Sequence, residues 1–212
     1  MTIKAVIFDF GEVLNAPVDP AKTALRNKRL AAKLDLPVER LWSYLFDGEA
    51  SSLWMTGQLD WDGFWQAVLT PRGIKDPEEI RAFAEMVFLD EDILNPEMMD
   101  LLLELKGRVK LAVLSNATRT EEEMFERLVD DFKLPEDLFD AIVTSASFGV
   151  TKPDPAIYIE AARRLGLLPD EAVFTDDMAD FTAAASALGM HTHTFTTPSS
   201  FRQFLRNEGV LQ

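Results

Sequence analysis

Lys4-Ala5-Val6-Ile7-Phe8-Asp9-Phe10-Gly11-Glu12-Val13-Leu14 decides the fold of this chain. An unbroken apolar run ends in a carboxylate, and a glycine follows two residues later. Val6, Ile7 and Phe8 read as a strand buried on both faces, the kind that parallel sheets contain. Asp9 then falls at the carboxyl end of that strand, where open α/β sheets gather their chemistry. A strand-end aspartate also serves as an ordinary turn former, so its meaning depends on what the rest of the chain brings beside it.

Further along, strands alternate with helices. Val109–Leu114 is predicted as a strand ending at Ser115-Asn116, Ala141–Val143 as a short strand, and Glu171–Thr175 as a strand ending at Asp176-Asp177. Met190–Phe195 supplies the last one. Between them, helices are predicted over Pro96–Leu105, Thr120–Val129 with a Thr120/Glu123 capping box, Asp154-Pro155 to Leu165, a stretch closed by Gly189, and Phe201–Arg206. Such alternation specifies a doubly wound parallel sheet.

The segment after Asn15-Ala16-Pro17-Val18-Asp19-Pro20 is different in kind. From Ala21 to about Phe88 the apolar residues follow a helical period and strand-like runs are missing. Four helices are expected, around Leu25–Leu36, Leu41–Phe46, Trp61–Leu69 (capped by Asp60 or Asp62) and Pro77–Phe88. The reading is an α/β core of residues 1–16 and 92–212 with a helical cap, 17–91, inserted after the first strand. All four tryptophans (Trp42, Trp54, Trp61, Trp65) lie in the insert, where core packing is the expectation and an aromatic wall over a ligand the alternative.

Composition sets bounds. The 212 residues hold no cysteine, which excludes disulfides, thiolate metal sites and cysteine nucleophiles. Met1–Lys4 runs straight into the first strand and no apolar run reaches the roughly 18 residues of a membrane helix, so the expectation is a soluble cytoplasmic protein. A formal net charge of −15 repels nucleic acid. A phosphate ligand on such a protein requires a metal or a well-placed lysine.

Asp9, Ser115 and Asp177 all fall at strand ends that share one sheet edge, with Lys152 of Thr151-Lys152-Pro153-Asp154-Pro155 as the cation. Phosphoryl transfer through an aspartyl phosphate uses these parts: a carboxylate that attacks phosphorus, donors and a cation for its oxygens, and a hard divalent metal between anions.

The four motifs resemble those of the haloacid dehalogenase-like hydrolase superfamily, in the subclass with a helical cap. They are Phe8–Leu14, Leu114–Ala117, Gly149–Tyr158, and Val173–Asp177 followed by Ala183-Ala184 and Ala187–Met190. The resemblance implies that Asp9 is the nucleophile and a magnesium ligand, joined by the Gly11 carbonyl and Asp177, with Asp176 acting through water. It implies that Ser115 and the Asn116 amide hold phosphate and that Lys152 bridges phosphate and Asp9. The substrate class implied is a small phosphorylated metabolite. A 2-haloacid dehalogenase and a barely catalytic binding protein are the competing readings. Dehalogenases of this family need no metal, usually lack an acidic pair such as Asp176-Asp177, and tend to carry tyrosine where Gly11 stands.

Two departures from the family pattern stand out. Most phosphatases of the family carry a second aspartate, the acid and base of the reaction, where this chain has Gly11. Losing that group typically costs about 10²–10⁴-fold. Glu12 is the nearest carboxylate, and on an extended backbone it would point to the opposite face. Some bacterial members with Asp-x-Gly resemble sugar-1-phosphate phosphatases, whose leaving group needs less help, and acyl phosphates fit the same argument. Slow turnover and an accumulating phosphoenzyme are therefore expected. The second departure is Phe181, where the family often has Asp or Asn; Asp180 lies one position earlier. Cap residues such as Arg26 and Arg29 are candidates for specificity, and hinges are expected near Asn15–Pro20 and Asp90–Asn95.

Overall fold

The computed structural model describes residues 2–15, 20–88 and 93–212. Five strands, β1 (Ala5–Phe8), β2 (Lys110–Ser115), β3 (Ala141–Thr144), β4 (Ala172–Asp176) and β5 (His191–Thr194), form one sheet in the order β3-β2-β1-β4-β5. Every pairing is parallel, with Ile7 opposite Ala112 on one side and Phe174 on the other. This is the doubly wound α/β fold expected from the sequence. Connections run outward from β1 in both directions, so the switch point of the sheet lies between β1 and β4.

All four residues of β1 are fully buried because each face of the sheet carries its own apolar layer. Val6 and Phe8 pack with Met98, Leu102, Met124 and Phe201 on one face. Ala5 and Ile7 pack with Ile157, Ala161 and Ala185 on the other. A strand that meets protein on both sides has no polar position, which is why its sequence shows no alternation.

The chain divides into two compact units, Met1–Ala16 with Ile93–Gln212, and Pro17–Asp92. The inserted unit contains five helices among its described residues, α1 (Pro20–Lys33), α2 (Leu41–Phe46), α3 (Glu49–Met55), α4 (Trp61–Leu69) and α5 (Pro77–Val87). Helix α3 was not expected. It is short, its buried residues include Ser51, and so it leaves no apolar stripe to read. Asp60 caps α4 by accepting from the Gly63 N–H, and Asp76 caps α5 by accepting from Glu78 and Glu79. Trp54 and Trp65 are buried in this unit's core, with the Trp54 ring stacked 4.0 Å from Phe64. Trp42 and Trp61 lie at the edge of that core, 37% and 40% exposed, with Trp42 stacked on Phe46 at 5.6 Å and Trp61 edge-on to Trp54 and Trp65 at 5.6 and 5.8 Å.

The sheet unit carries α6 (Pro96–Leu105), α7 (Glu121–Glu126), α8 (Ser145–Phe148), α9 (Pro155–Arg164), α10 (Ala179–Ala187) and α11 (Pro198–Asn207). The Thr120/Glu123 capping box opens α7, which ends six residues on in a π-helical turn over Arg127–Asp131 instead of continuing as α-helix to Val129. The one-turn α8, capped by Thr144, escaped sequence reading because four residues are too few for a periodic signal. Asn15 and Leu94 form an antiparallel bridge where the chain leaves and re-enters this unit. The expected hinges fall in part on residues 16–19 and 89–92, outside the described residues. Among the described residues no helix is long and apolar enough to cross a membrane.

Candidate active site

Asp9 follows β1 directly, and its N–H donates to the Thr175 carbonyl at 2.9 Å. That bond extends the β1–β4 ladder by one rung and fixes where the carboxylate emerges, at the switch point. Asp176 ends β4 and is fully buried; Asp177 follows it and is half-buried. Carboxylate oxygens of Asp9, Asp176 and Asp177 lie within 4.8 Å of one another.

Lys152 reaches this group from the loop before α9. Its Nζ donates to Asp9 Oδ1 and to Asp176 Oδ2, each at 2.6 Å, from a residue only 3% exposed. The loop is built locally. Asp154 caps α9 by accepting from Ala156, and its own N–H closes a turn onto the Thr151 carbonyl. The Lys152–Pro153 peptide is cis. Asn116, just past β2, then fastens the loop from the side. Its Oδ1 accepts from the Lys152 N–H at 2.7 Å and its Nδ2 donates to the Lys152 carbonyl at 3.0 Å. The Asn116 side-chain amide is therefore engaged with backbone, which leaves the main-chain amide as the part of Asn116 able to meet an anion. Ser115 is the last residue of β2, buried, and opposite Thr144.

Electrostatics follow from burial. Desolvation pushes the Asp9 carboxyl up to about 6, the Asp176 carboxylate adds to the rise, and Lys152 opposes it. Asp177 is raised for the same leading reason, burial, with Asp176 second. Asp176 is held at both oxygens: Oδ2 takes Lys152, and Oδ1 accepts from the Met178 N–H at 2.8 Å. Three carboxylates facing one ammonium carry a formal charge of −2, which a divalent cation cancels.

Gly11 lies in a tight turn over residues 11–14, not on extended backbone. The expected orientation of Glu12 therefore does not apply. Glu12 has a φ of 55°, its N–H donates to Asn15 Oδ1, and it is exposed. Gly11 itself is outside the left-handed region, and a Cβ placed on it would meet only Asp9 Oδ2, at 3.7 Å. Asp180 is exposed and stands apart from the acidic group. Sequence reasoning missed what Phe174 and Phe181 do: their ring centroids lie 5.7 and 5.1 Å from Lys152 Nζ. It also missed Ser145, fully buried, which exchanges hydrogen bonds with the Ala117 backbone and ties the loop after β2 to α8.

Comparison with known proteins agrees with this geometry. The family model described as haloacid dehalogenase-like hydrolase matches residues 3–189. Over 88 residues the chain is 35% identical to glyceraldehyde 3-phosphate phosphatase of Methanopyrus kandleri, covering 40% of this chain and 35% of that protein. Over 194 residues it is 26% identical to the sesquiterpene phosphatase astK of Aspergillus oryzae, covering 89% of this chain and 88% of that protein. A HAD family enzyme of Bacteroides thetaiotaomicron, in its magnesium complex, superposes with a TM-score of 0.74 at 20% identity, covering 97% of this chain and 100% of that one. At that identity the likeness carries the fold. The matches span between 6% and 36% of the length of four curated relatives, the Methanopyrus protein among them.

Proposed function

The chain belongs to the haloacid dehalogenase-like hydrolase family, and we propose that it is a magnesium-dependent phosphatase acting on a small phosphorylated metabolite. One observation carries the reading. Lys152 Nζ stands 2.6 Å from both Asp9 and Asp176 while three carboxylates gather within 4.8 Å at the switch point. The phosphatase names of the Methanopyrus and Aspergillus relatives support phosphorus as the atom attacked.

In the first step a carboxylate oxygen of Asp9 attacks phosphorus, the bond to the leaving oxygen breaks, and an aspartyl phosphate forms. In the second, water attacks that phosphorus, phosphate departs and the Asp9 carboxylate is restored. Lys152 holds Asp9 ionised and faces the charge on the phosphoryl oxygens. The Ser115 hydroxyl and the main-chain amide of Asn116 serve the same oxygens. The donor set fits magnesium, being all oxygen: Asp9, the Gly11 carbonyl and Asp177 would hold it, with Asp176, already bound at both oxygens, acting through water. When bound, the metal neutralises the charge that would otherwise keep a phosphate dianion away from three acids.

Gly11 offers no acid or base, so the substrates that suit this site carry good leaving groups, anomeric or acyl phosphates above all. The same absence supports a second reading, a weakly catalytic protein that binds such a metabolite. A dehalogenase, which has no use for a metal, leaves the acidic trio unexplained. A screen of phosphorylated metabolites with and without magnesium, beside Asp9→Asn, tests the proposal. Phosphate release that needs both magnesium and Asp9 supports it; halide release from 2-haloacids without metal overturns it.

A further inference from the structure

An ammonium group has three N–H donors, and Lys152 commits two of them to Asp9 Oδ1 and Asp176 Oδ2. Two aromatic rings also face the ammonium. The Phe174 centroid is 5.7 Å from Nζ and the Phe181 centroid 5.1 Å, both within the range in which a ring face attracts a cation. Such a ring holds positive charge without accepting a particular N–H. A carboxylate or amide oxygen in the same place would take the third donor for itself. We propose that Phe181 is a positioning residue, whose ring keeps the Lys152 ammonium seated between Asp9 and Asp176 while leaving its third N–H for the anion that Asp9 attacks.

The two rings differ in a way that makes the idea testable. Phe174 is fully buried in β4 and contributes to the core, so replacing it would disturb packing. Phe181 lies in the first turn of α10 and is only partly buried. Its backbone is anchored independently of its ring, since the Tyr158 hydroxyl donates to the Phe181 carbonyl at 3.0 Å. A substitution at 181 can therefore remove the ring and keep the turn.

This inference rests on the phosphatase reading for its catalytic half, and the test separates the two. In protein labelled with ¹³C-lysine, the Lys152 ε-methylene signal is assigned by its loss in Lys152→Arg. The rings should displace it upfield, Phe181→Leu should move it back towards the ordinary lysine position, and Phe181→Tyr should leave it in place. With acetyl phosphate and magnesium, Phe181→Leu should lower kcat/KM, which reports the attack by Asp9, about two- to thirtyfold, the range that a lost cation–ring attraction gives. Phe181→Tyr should keep kcat/KM near wild type, and Phe181→Asn should fall further than Phe181→Leu. A folded Phe181→Leu protein with the wild-type Lys152 signal and wild-type kcat/KM overturns the proposal. Wild-type protein inert towards every phosphate compound sinks the phosphatase reading alone, and the lysine signal then still decides whether the ring holds the ammonium.

Discussion

Restoring a carboxylate at position 11 is the sharpest way to probe why this site should be slow. Gly11 does not occupy the left-handed region, and a Cβ there would find Asp9 Oδ2 at 3.7 Å, an ordinary contact, with nothing else within 4 Å. Gly11→Asp should therefore fold, with a change in stability of about 1 kcal/mol or less in the presence of magnesium. Without metal, a fourth acid beside the existing three raises the repulsion, so the variant should melt below wild type and gain more from added magnesium. A positioned acid and base lowers the barrier by about 2.7–5.5 kcal/mol, which is about 10²–10⁴ in rate. The gain should be greatest for alkyl phosphates, whose leaving oxygen needs a proton, and smaller for acyl phosphates, whose leaving group does not. Steady-state kcat/KM for one substrate of each type, with magnesium, measures the difference. A folded, magnesium-responsive Gly11→Asp protein that gains nothing on alkyl phosphates would refute the reasoning.

Three further outcomes follow from the same geometry. Lys152→Met leaves Asp9 and the fully buried Asp176 without their cation, so metal-free stability should fall by about 3–5 kcal/mol in a denaturant titration, with magnesium recovering part of the loss. Burial raises Asp9 from 3.8 to about 6, so the folded state binds its proton more tightly than the unfolded chain; the stability this contributes is complete below pH 3.8 and lost as pH rises through about 6. The melting temperature of metal-free wild type relative to Asp9→Asn should show that decline, and magnesium affinity by calorimetry should weaken as pH falls below about 6 because the proton competes for the same carboxylate. Asn116→Asp puts an acceptor where Nδ2 now donates to the Lys152 carbonyl, and should cost about 1–3 kcal/mol of stability together with most of the activity.

The sheet was legible because its central strands β1, β2 and β4 are buried on both faces and therefore nearly unbroken in hydrophobicity, and because Asp154-Pro155, Thr120/Glu123 and Asp76-Pro77 advertise helix starts by their chemistry. Parallel strands put their carboxyl ends on one edge, so Asp9, Ser115 and Asp177 could be grouped from strand position alone. What stayed hidden depends on side-chain direction. That the Asn116 amide would turn to the Lys152 backbone, and that Phe181 would offer its ring to an ammonium, are facts of three-dimensional packing with no local spacing to announce them. For Glu12 only the premise fails: the orientation argument was conditional on an extended backbone, whereas residues 11–14 turn. Helix α8 is a single turn, too short to display a period, and α3 buries only Ser51 and Trp54, which make no apolar stripe.

Acid-quenched mass spectrometry of the protein after mixing with acetyl phosphate and magnesium addresses the central claim, that Asp9 attacks phosphorus. A phosphoryl adduct should form on the peptide bearing Asp9, accumulate because Gly11 supplies no base for its hydrolysis, and be missing from Asp9→Asn and from samples stripped of magnesium. Phosphate release by wild type with no adduct on that peptide, or an adduct that survives Asp9→Asn, would contradict it.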